Sequence, residues 1–263
     1  MLILNPPPGA KALMPAGYSC ICYMPERPDE IIKVPLPIDV CMEAHEIEKQ
    51  IFSRLGKHKS IVNFVKSDEH GIYLDRAKYG CLRLYYMEGG TASLTEKTKW
   101  CHDVAEALEY VHQKNVRHAD LSGRNLLIDS ARNILLCDFA GSSIDDKPAI
   151  VRAEPGYRHP DEAEWKQPTI RSEIHSLGSV IFEIMTGKKP HDGLEEHEIV
   201  QLIEQGKYPD VSNVPLNDTI EKCWKGVFQS AAEVAQVIAS QIASQPVPVK
   251  SVQPGWICEC RLM

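Results

Sequence analysis

Residues 116–129 read VRHADLSGRNLLID, and residues 134–141 read ILLCDFAG. In the first stretch the acid Asp120 precedes the amide Asn125 by five residues, and the second stretch contains another acid, Asp138. The short apolar runs on either side of residues 129–133 are typical of a β-hairpin. The three polar side chains stand just outside the same end of its two strands, so we expect them to meet at one site.

The order and spacing of these residues resemble two motifs of the protein kinase superfamily, the catalytic loop His-Arg-Asp-x4-Asn and the metal-binding Asp-Phe-Gly. The resemblance implies that Asp120 orients the attacking hydroxyl and accepts its proton. It also implies that Asn125 and Asp138 hold Mg²⁺ on the phosphates of ATP. Oxygen ligands of this kind suit a hard, strongly hydrated cation. The alternative is an ordinary hairpin with capping acids, but order, spacing and flanking strands all favour the kinase-like site.

A lysine and a glutamate upstream continue the resemblance. Lys33, in EIIKVP at residues 30–35, looks like the strand lysine that grips the α and β phosphates. Glu48 is the single acid inside an apolar helical stripe that follows, made of Ala44, Ile47, Ile51, Phe52 and Leu55. Because a carboxylate facing a core needs a cationic partner, we expect Glu48 to pair with Lys33. Glu43 and Glu46 are the alternative partners.

The predicted nucleotide cover and hinge depart further from the family pattern. GYSCICYM at residues 17–24 occupies the place of the glycine-rich loop, where only the first glycine, Gly17, remains. Ser19 and Cys22 add side chains where backbone should approach phosphate. An ordinary hairpin is the alternative. Residues 74–82 look like the hinge between lobes, whose backbone would bind adenine from Asp75 to Ala77.

Three substitutions lie inside the catalytic motifs. Ala119 replaces the arginine next to the catalytic aspartate, Ser122 replaces the lysine two residues after it, and Ala140 replaces the glycine after Asp-Phe. None of the three is a metal ligand. Arg124 stands where tyrosine kinases carry a compensating arginine, so we expect Arg124 to supply the cation that Ser122 lacks.

Two downstream motifs resemble the family as well. Residues 156–162, GYRHPDE, resemble the close of an activation segment, and residues 173–183, EIHSLGSVIFE, resemble the buried helix at the centre of the large lobe. Asp161 stands where the family motif has the longer Glu, and Glu173 stands where the family motif has the shorter Asp. The arginine that usually pairs with Asp161 is missing from the segment that begins at Cys223, so we expect that ion pair to be absent.

Composition limits the partners. The 263-residue chain has a net charge of −7 and no long basic run, which argues against nucleic acid. No signal peptide or membrane-spanning segment is visible, so no membrane is expected. Nine cysteines, most of them in apolar segments, predict reduced and buried thiols and a cytoplasmic location, with the nucleus not excluded.

Periodicity divides the chain into two regions. The first 85 residues are strand-rich with one helix, and Ile61–Phe64 and Gly71–Leu74 read as strands. Capping boxes at Ser93/Glu96 and Ser230/Glu233 open helices, and further helical patterns cover 172–186, 194–205 and 217–225. We therefore predict an α+β, bilobal protein-kinase-like fold with a small β-rich N-lobe and a larger helical C-lobe. The expected boundaries are an N-terminal tail at 1–12, an N-lobe with hinge at 13–77, a C-lobe at 78–245 and a C-terminal tail at 246–263.

The chain looks most like the short, divergent kinase-like proteins found in fungi. This resemblance implies transfer of the ATP γ-phosphoryl group, with Mg²⁺, to a protein hydroxyl, Ser/Thr rather than Tyr. Lys33, Glu48, Asp120 and Arg124 would be catalytic, and Gly17, Ser19, Lys33, Asp75, Ala77, Asn125 and Asp138 would bind the nucleotide. A pseudokinase that binds nucleotide or acts as a scaffold, and an aminoglycoside-type phosphotransferase, are the alternatives. Because Ala119 removes the cation that an activation-loop phosphate neutralises in many kinases, we expect regulation by expression or by a protein partner. The alternative is that Arg152 or Arg158 supplies a different phosphate pocket.

Overall fold

The computed structural model describes residues 4–145 and 147–244 of the chain. The predicted C-terminal tail, 246–263, lies outside the described residues. At the other end, the first strand begins at Lys11, inside the segment predicted as a tail.

An antiparallel sheet and one helix form the N-terminal region. The elements are β1 Lys11–Ala16, β2 Ser19–Met24, β3 Arg27–Pro35, helix α1 Asp39–Leu55, β4 Phe64–Ser67 and β5 Ile72–Asp75. The five strands lie in the order β1-β2-β3-β5-β4. Side chains alternate along β3, so that Ile32 and Val34 pack in a small cluster with Cys22 and Tyr73, while Lys33 faces α1. The sheet thereby directs one lysine toward the helix.

The C-terminal region is mostly helical. Its elements are α2 Leu82–Met87, α3 Leu94–Gln113, β6 Val116–Arg117, β7 Leu126–Ile128, β8 Ile134–Leu136, β9 Ser143–Ile144, α4 Glu162–Lys166, α5 Ile170–Thr186, α6 Glu196–Glu204, α7 Asn217–Trp224 and α8 Ala231–Ser244. Helix α5 is buried from Ser172 to Met185 and forms the centre of this region. The arrangement of a β-sheet region followed by a helical region confirms the predicted α+β class.

Capping explains where two of the predicted helices begin. At α3 the Ser93 hydroxyl accepts the Glu96 N–H, and the Glu96 carboxylate accepts the Ser93 N–H, as the capping box predicts. At α8 the Glu233 N–H donates to the Ser230 hydroxyl, but the Glu233 carboxylate accepts from the Gln229 N–H instead. Only half of the second box therefore forms, since the returning bond is shifted by one residue.

The strand expected at Ile61–Phe64 lies later in the chain. The structure places β4 at Phe64–Ser67, and the buried Ile61 forms an isolated bridge with Leu136 of β8. The Val62 N–H donates to the Leu136 carbonyl at 3.0 Å. The apolar run therefore docks the N-terminal region on the β7–β8 hairpin, a long-range contact that periodicity cannot indicate.

The described residues contain no helix with both the length and the apolar character needed to cross a bilayer. Seven of the nine cysteines lie in the described part of the chain, and all seven are free thiols. Five of these are buried, in agreement with the predicted reduced and buried thiols.

Candidate functional site

A buried ion pair connects β3 to α1. The Lys33 Nζ lies 2.8 Å from Oε1 and 2.7 Å from Oε2 of Glu48, and it also lies 2.8 Å from Oδ1 of Asp138. The side chains of Lys33 and Glu48 are 6% and 1% exposed. Burial opposes the charge of Lys33, but the two carboxylates outweigh it and raise the pKa of the lysine. The geometry agrees with the predicted Lys33–Glu48 pair and adds Asp138 as a second partner.

The pair also reaches the segment after β8. The Phe139 N–H donates to Glu48 Oε1 at 3.1 Å, while the Phe139 ring packs edge-on against Phe52 of α1. Burial opposes ionisation of Asp138, but Lys33 outweighs it and lowers the pKa of this carboxyl. The acid predicted to hold the metal is therefore held ionised beside the predicted phosphate-binding lysine.

The catalytic loop is fixed to the same segment by His118. Its Nδ1 accepts the Asp120 N–H at 3.3 Å, so its Nε2 carries the proton that is donated to the Cys137 carbonyl at 2.9 Å. The Cys137 N–H in turn donates to the Asn125 carbonyl at 3.0 Å. The β7–β8 hairpin thus brings Asp120, Asn125 and Asp138 to one end of its strands, as their spacing predicts.

Glu173 of α5 supports the loop from behind. Its carboxylate accepts the Ala119 N–H at 2.7 Å and contacts His112 Nε2 at 2.7 Å. Ala119 has a φ of 69°, so the chain turns sharply just before Asp120. Burial opposes the charge of Glu173, but the contacts with His112 and Ala119 outweigh it and lower the pKa of this carboxyl. The longer carboxylate at this position therefore still anchors the catalytic loop.

Asp120 has the properties expected of a general base. Its Oδ2 accepts from the Asn125 Nδ2 at 3.1 Å, whereas its buried Oδ1 has no hydrogen-bond partner among the described residues. Burial raises the pKa of Asp120 to about 6, with Arg124 and His118 acting in the opposite direction. A carboxylate of this kind is ionised at pH 7 and has one free acceptor oxygen for an incoming hydroxyl.

Asn125 and Asp138 fit a divalent metal ion. The Asn125 Nδ2 donates to the carbonyl and to Oδ2 of Asp120, which turns the amide oxygen away from Asp120. The side chain of Asp138 is 38% exposed and ionised. An amide oxygen and a partly exposed carboxylate are ligands that Mg²⁺ prefers, so the donor set agrees with the predicted metal site.

A family model described as protein tyrosine and serine/threonine kinase matches residues 39–240, well over half of the chain. The chain belongs to the protein kinase family. The match includes Glu48, the catalytic loop and Asp138, whereas Lys33 lies ahead of it.

Three relatives of the chain are kinases at low identity. The serine/threonine-protein kinase STY46 of Arabidopsis thaliana is 24% identical over 250 residues, covering 85% of this chain and 42% of the relative. STY17 of the same plant is 27% identical over 208 residues, covering 74% and 36%, respectively. The receptor tyrosine-protein kinase erbB-2 of Mus musculus is 28% identical over 159 residues, covering 56% and 12%. The chain therefore spans less than half the length of these relatives, and the resemblance to fungal proteins stays a prediction.

Arg124 lies beside Asp120, the predicted base, but it already forms an ion pair with another residue. Its Nε is 2.9 Å from Glu154 Oε1, and its Nη2 is 3.6 Å from Asp120 Oδ2. Glu154 also forms an ion pair with Arg83 of α2, whose Nη1 lies 2.8 Å from both carboxylate oxygens. The location next to Asp120 agrees with the prediction for Arg124, and its role toward the transferred phosphoryl group stays a prediction.

Sequence reasoning missed the network that surrounds Arg124. Arg83 also binds Glu183 of α5, through a 2.8 Å contact from its Nε, and Tyr157 contacts both residues. Glu183 accepts the Gly123 N–H at 2.8 Å, and a Cβ on Gly123 would lie 2.4 Å from the Glu183 carboxylate. Gly123 is therefore required by close approach. A sequence signal existed only for the helix that carries Glu183.

The predicted nucleotide cover is a tight hairpin. Gly17, with a φ of 52°, and Tyr18 form the two-residue turn between β1 and β2. The buried Ser19 hydroxyl donates to the Ala16 carbonyl at 3.2 Å, so it is satisfied within the hairpin. Burial and then nearby groups, including Asp120, raise the pKa of Tyr18, which places the turn close to the catalytic loop. No sequence pattern indicated that Tyr18 lies near the site, because its location depends on the turn having only two residues.

The predicted hinge follows β5. The Asp75 N–H donates to the Asn63 carbonyl at 3.1 Å, and the Ala77 carbonyl accepts the Gly80 N–H at 3.3 Å. Within the described part of the chain, the Ala77 N–H has no hydrogen-bond acceptor. Of the backbone groups predicted to bind adenine, the Ala77 N–H is thus available, whereas the Asp75 N–H is used inside the protein.

Asp161 caps a helix instead of forming an ion pair. Its carboxylate accepts the Ala163 N–H at 3.0 Å, and among the described residues it has no cationic partner. Arg171 of α5 lies near Gly226 and contacts Glu164 of α4 at 3.6 Å. A neighbouring ion pair thus connects α4 and α5, while the absence expected for Asp161 stays a prediction.

Proposed function

We propose that this chain is an active protein kinase that transfers the γ-phosphoryl group of ATP, with Mg²⁺, to a serine or threonine hydroxyl of a protein. The observation that carries the proposal is the placement of two groups at one end of the β7–β8 hairpin, namely Lys33 bound to Glu48 and Asp138, and Asn125 bound to Asp120, whose Oδ1 is free. In-line phosphoryl transfer requires mainly positioning and charge neutralisation, and these residues supply both.

Each residue has a role that follows from its contacts. Lys33, held by Glu48 on one side, directs its positive charge toward the phosphates. Asn125 and Asp138 hold Mg²⁺, which neutralises phosphate charge when bound. Asp120 accepts the proton of the attacking hydroxyl at Oδ1, while its Oδ2 is kept in place by Asn125. All five residues are connected through the β7–β8 hairpin or through α1, so the site is largely preorganised.

The preference for Ser/Thr rests on similarity. The two plant relatives named serine/threonine-protein kinases cover 85% and 74% of this chain, whereas erbB-2 covers 56%. The acceptor protein, a regulatory partner and the cytoplasmic location predicted from the sequence remain expectations.

A nucleotide-binding pseudokinase is the second candidate, because of one observation at the cleft. Glu154 engages Arg124, and the buried Ser122 at the position of the family's lysine offers no cation, so no free cation stands beside Asp120 among the described residues of the loop. Under this alternative Lys33 and Asp138 bind Mg-ATP but transfer does not occur.

Calorimetric titration of the full chain with Mg-ATP, combined with a transfer assay, separates these functions. Asp138→Asn should weaken Mg-ATP binding because it removes a charged metal ligand. Asp120→Asn should leave binding nearly intact because Asp120 acts on the acceptor. Both variants should abolish transfer. Equal loss of nucleotide binding in the two variants contradicts the assigned roles, and binding without transfer by the wild type supports the pseudokinase.

A further inference from the structure

A second ion pair connects α1 to the C-terminal region, away from the Lys33–Glu48 pair. Arg54, in the last turn of α1, forms a two-pronged contact with Asp145, at 2.5 Å from Nη1 to Oδ1 and 3.0 Å from Nη2 to Oδ2. The Arg54 Nη1 also donates to the Lys114 carbonyl at 3.4 Å. One guanidinium thus contacts the chain before the catalytic loop and the chain after Asp138.

Asp145 is itself fixed by the backbone. It directly follows β9, whose two residues pair with β6 just ahead of the catalytic loop. The Asp145 N–H donates to the Asn115 carbonyl at 2.8 Å, and Asp145 adopts a φ of 54°, a conformation that asparagine and aspartate tolerate. The acidic partner of Arg54 therefore has a defined position next to the site.

Helix α1 consequently makes polar contacts with the segment from Asp138 to Asp145 at two points, in addition to the packing of Phe52 on Phe139. Glu48 accepts the Phe139 N–H at 3.1 Å, and Arg54 binds Asp145 six residues later. Six residues of helix span about 9 Å. With Glu48 alone, the polar contacts to this segment would lie at one point of the helix, whereas two contacts separated along the helix axis restrain both its distance and its orientation.

We propose that Arg54 and Asp145 are positioning residues that hold α1 where Glu48 engages Lys33, without any phosphate on the activation segment. The inference rests on the proposed function, because it concerns the geometry of that catalytic site. Ala119 lacks a cationic side chain and its N–H is bound by Glu173, so the loop itself offers no cation for a phosphate at that position. A permanent carboxylate on Asp145 takes the place of a regulated negative charge.

The expected size of the effect follows from exposure. The side chains of Arg54 and Asp145 are 34% and 54% exposed, so their pair belongs to the surface class. Losing such a pair should change the equilibrium constant between the engaged and displaced positions of α1 by about twofold to fivefold. The two-pronged geometry favours the upper part of that range.

Hydrogen–deuterium exchange of the full chain tests the tether without any need for activity. Asp145→Asn is the clean variant, because it keeps the shape and backbone preference and leaves α1 unmutated. It should raise amide exchange of the peptide covering residues 41–51 by about twofold to fivefold. Arg54→Ala should act similarly, and the double variant should add little to either single one. Lys49→Ala is the matched control, since Lys49 pairs with Glu46 within the same helix at 2.8 Å.

The transfer assay supplies the functional reading. Asp145→Asn should lower kcat by at most the factor by which exchange rises, because kcat follows the fraction of molecules with α1 in place, and it should leave KM for the acceptor unchanged. Unchanged exchange of residues 41–51 in Asp145→Asn, or a similar increase in Lys49→Ala, overturns the tether. If the wild-type chain transfers no phosphoryl group, the proposed function fails while the exchange comparison still decides the tether.

Discussion

Removing Lys33 should destabilise the fold far more than neutralising its partner Glu48. Lys33→Met leaves the Glu48 carboxylate, which is 1% exposed, without its cation, and breaking one side of a buried pair costs about 3–5 kcal/mol. Glu48→Gln leaves Lys33 with Asp138 at 2.8 Å and an amide oxygen for the Phe139 N–H, so the loss should be about 1 kcal/mol. The double variant no longer contains the buried Glu48 carboxylate without its cation, and although Asp138 still lacks Lys33, it should be more stable than Lys33→Met alone.

The pH dependence of the deficit identifies its cause. Burial raises the pKa of Glu48, and loss of Lys33 should raise it further. A carboxyl with a raised folded pKa is neutral and unpenalised at low pH, and its penalty grows as the pH rises above its unfolded pKa. The deficit of Lys33→Met should therefore be smaller at pH 5 than at pH 7, with a slope of at most about 1.4 kcal/mol per pH unit.

Urea unfolding followed by tryptophan fluorescence measures these differences, since Trp100 and Trp224 are buried in the C-terminal region. Wild type and Glu48→Gln, measured at the same pH values, provide the reference. Equal destabilisation by Lys33→Met and Glu48→Gln, or a double variant that loses the sum of both, would refute the reasoning.

Three further predictions concern catalysis, acid stability and regulation. Arg124→Ala should lower kcat more than it raises KM for ATP, because the guanidinium lies beside the base, and an unchanged kcat in steady-state kinetics would show that the cation is not needed. The lowered pKa of Glu173 contributes stability that is present above its unfolded pKa and lost as the pH falls through the folded value. The stability advantage of wild type over Glu173→Gln in urea unfolding should thus shrink below about pH 4, and a constant advantage would exclude the contacts with His112 and Ala119 as its source. Phosphatase treatment should leave activity nearly unchanged, because Ala119 offers no cation for a loop phosphate, and a fall that preincubation with ATP restores would contradict this.

Local patterns predicted which polar side chains lie together at the candidate site, because the spacing of these residues is itself local. Asp120 and Asn125 are separated by one turn of chain, and a short hairpin brings Asp138 to them. Glu48 could be chosen over Glu43 and Glu46 because it alone interrupts the apolar stripe of α1. In each case hydrophobic periodicity carried information about which side chains face inward.

Long-range contacts were beyond this kind of reasoning. Nothing near Arg54 indicates Asp145, 91 residues away, and nothing near Arg83 indicates Glu183, 100 residues away. The predicted bounds of strand β4 were wrong for the same reason. Ile61 has the apolar character of a strand residue, but it contacts β8 instead. Gly123 shows the limit most clearly. A glycine is required there because the carboxylate of Glu183, from α5, lies where a Cβ atom would stand.

Transfer of label from γ-labelled ATP to a generic protein acceptor, with phosphoamino-acid analysis of the product, tests the central claim most directly. We predict Mg²⁺-dependent labelling of serine or threonine by the wild-type chain and none by Asp120→Asn, whose nucleotide binding should remain. Labelling that persists in Asp120→Asn, or its absence from a wild-type chain that binds Mg-ATP, would contradict the account.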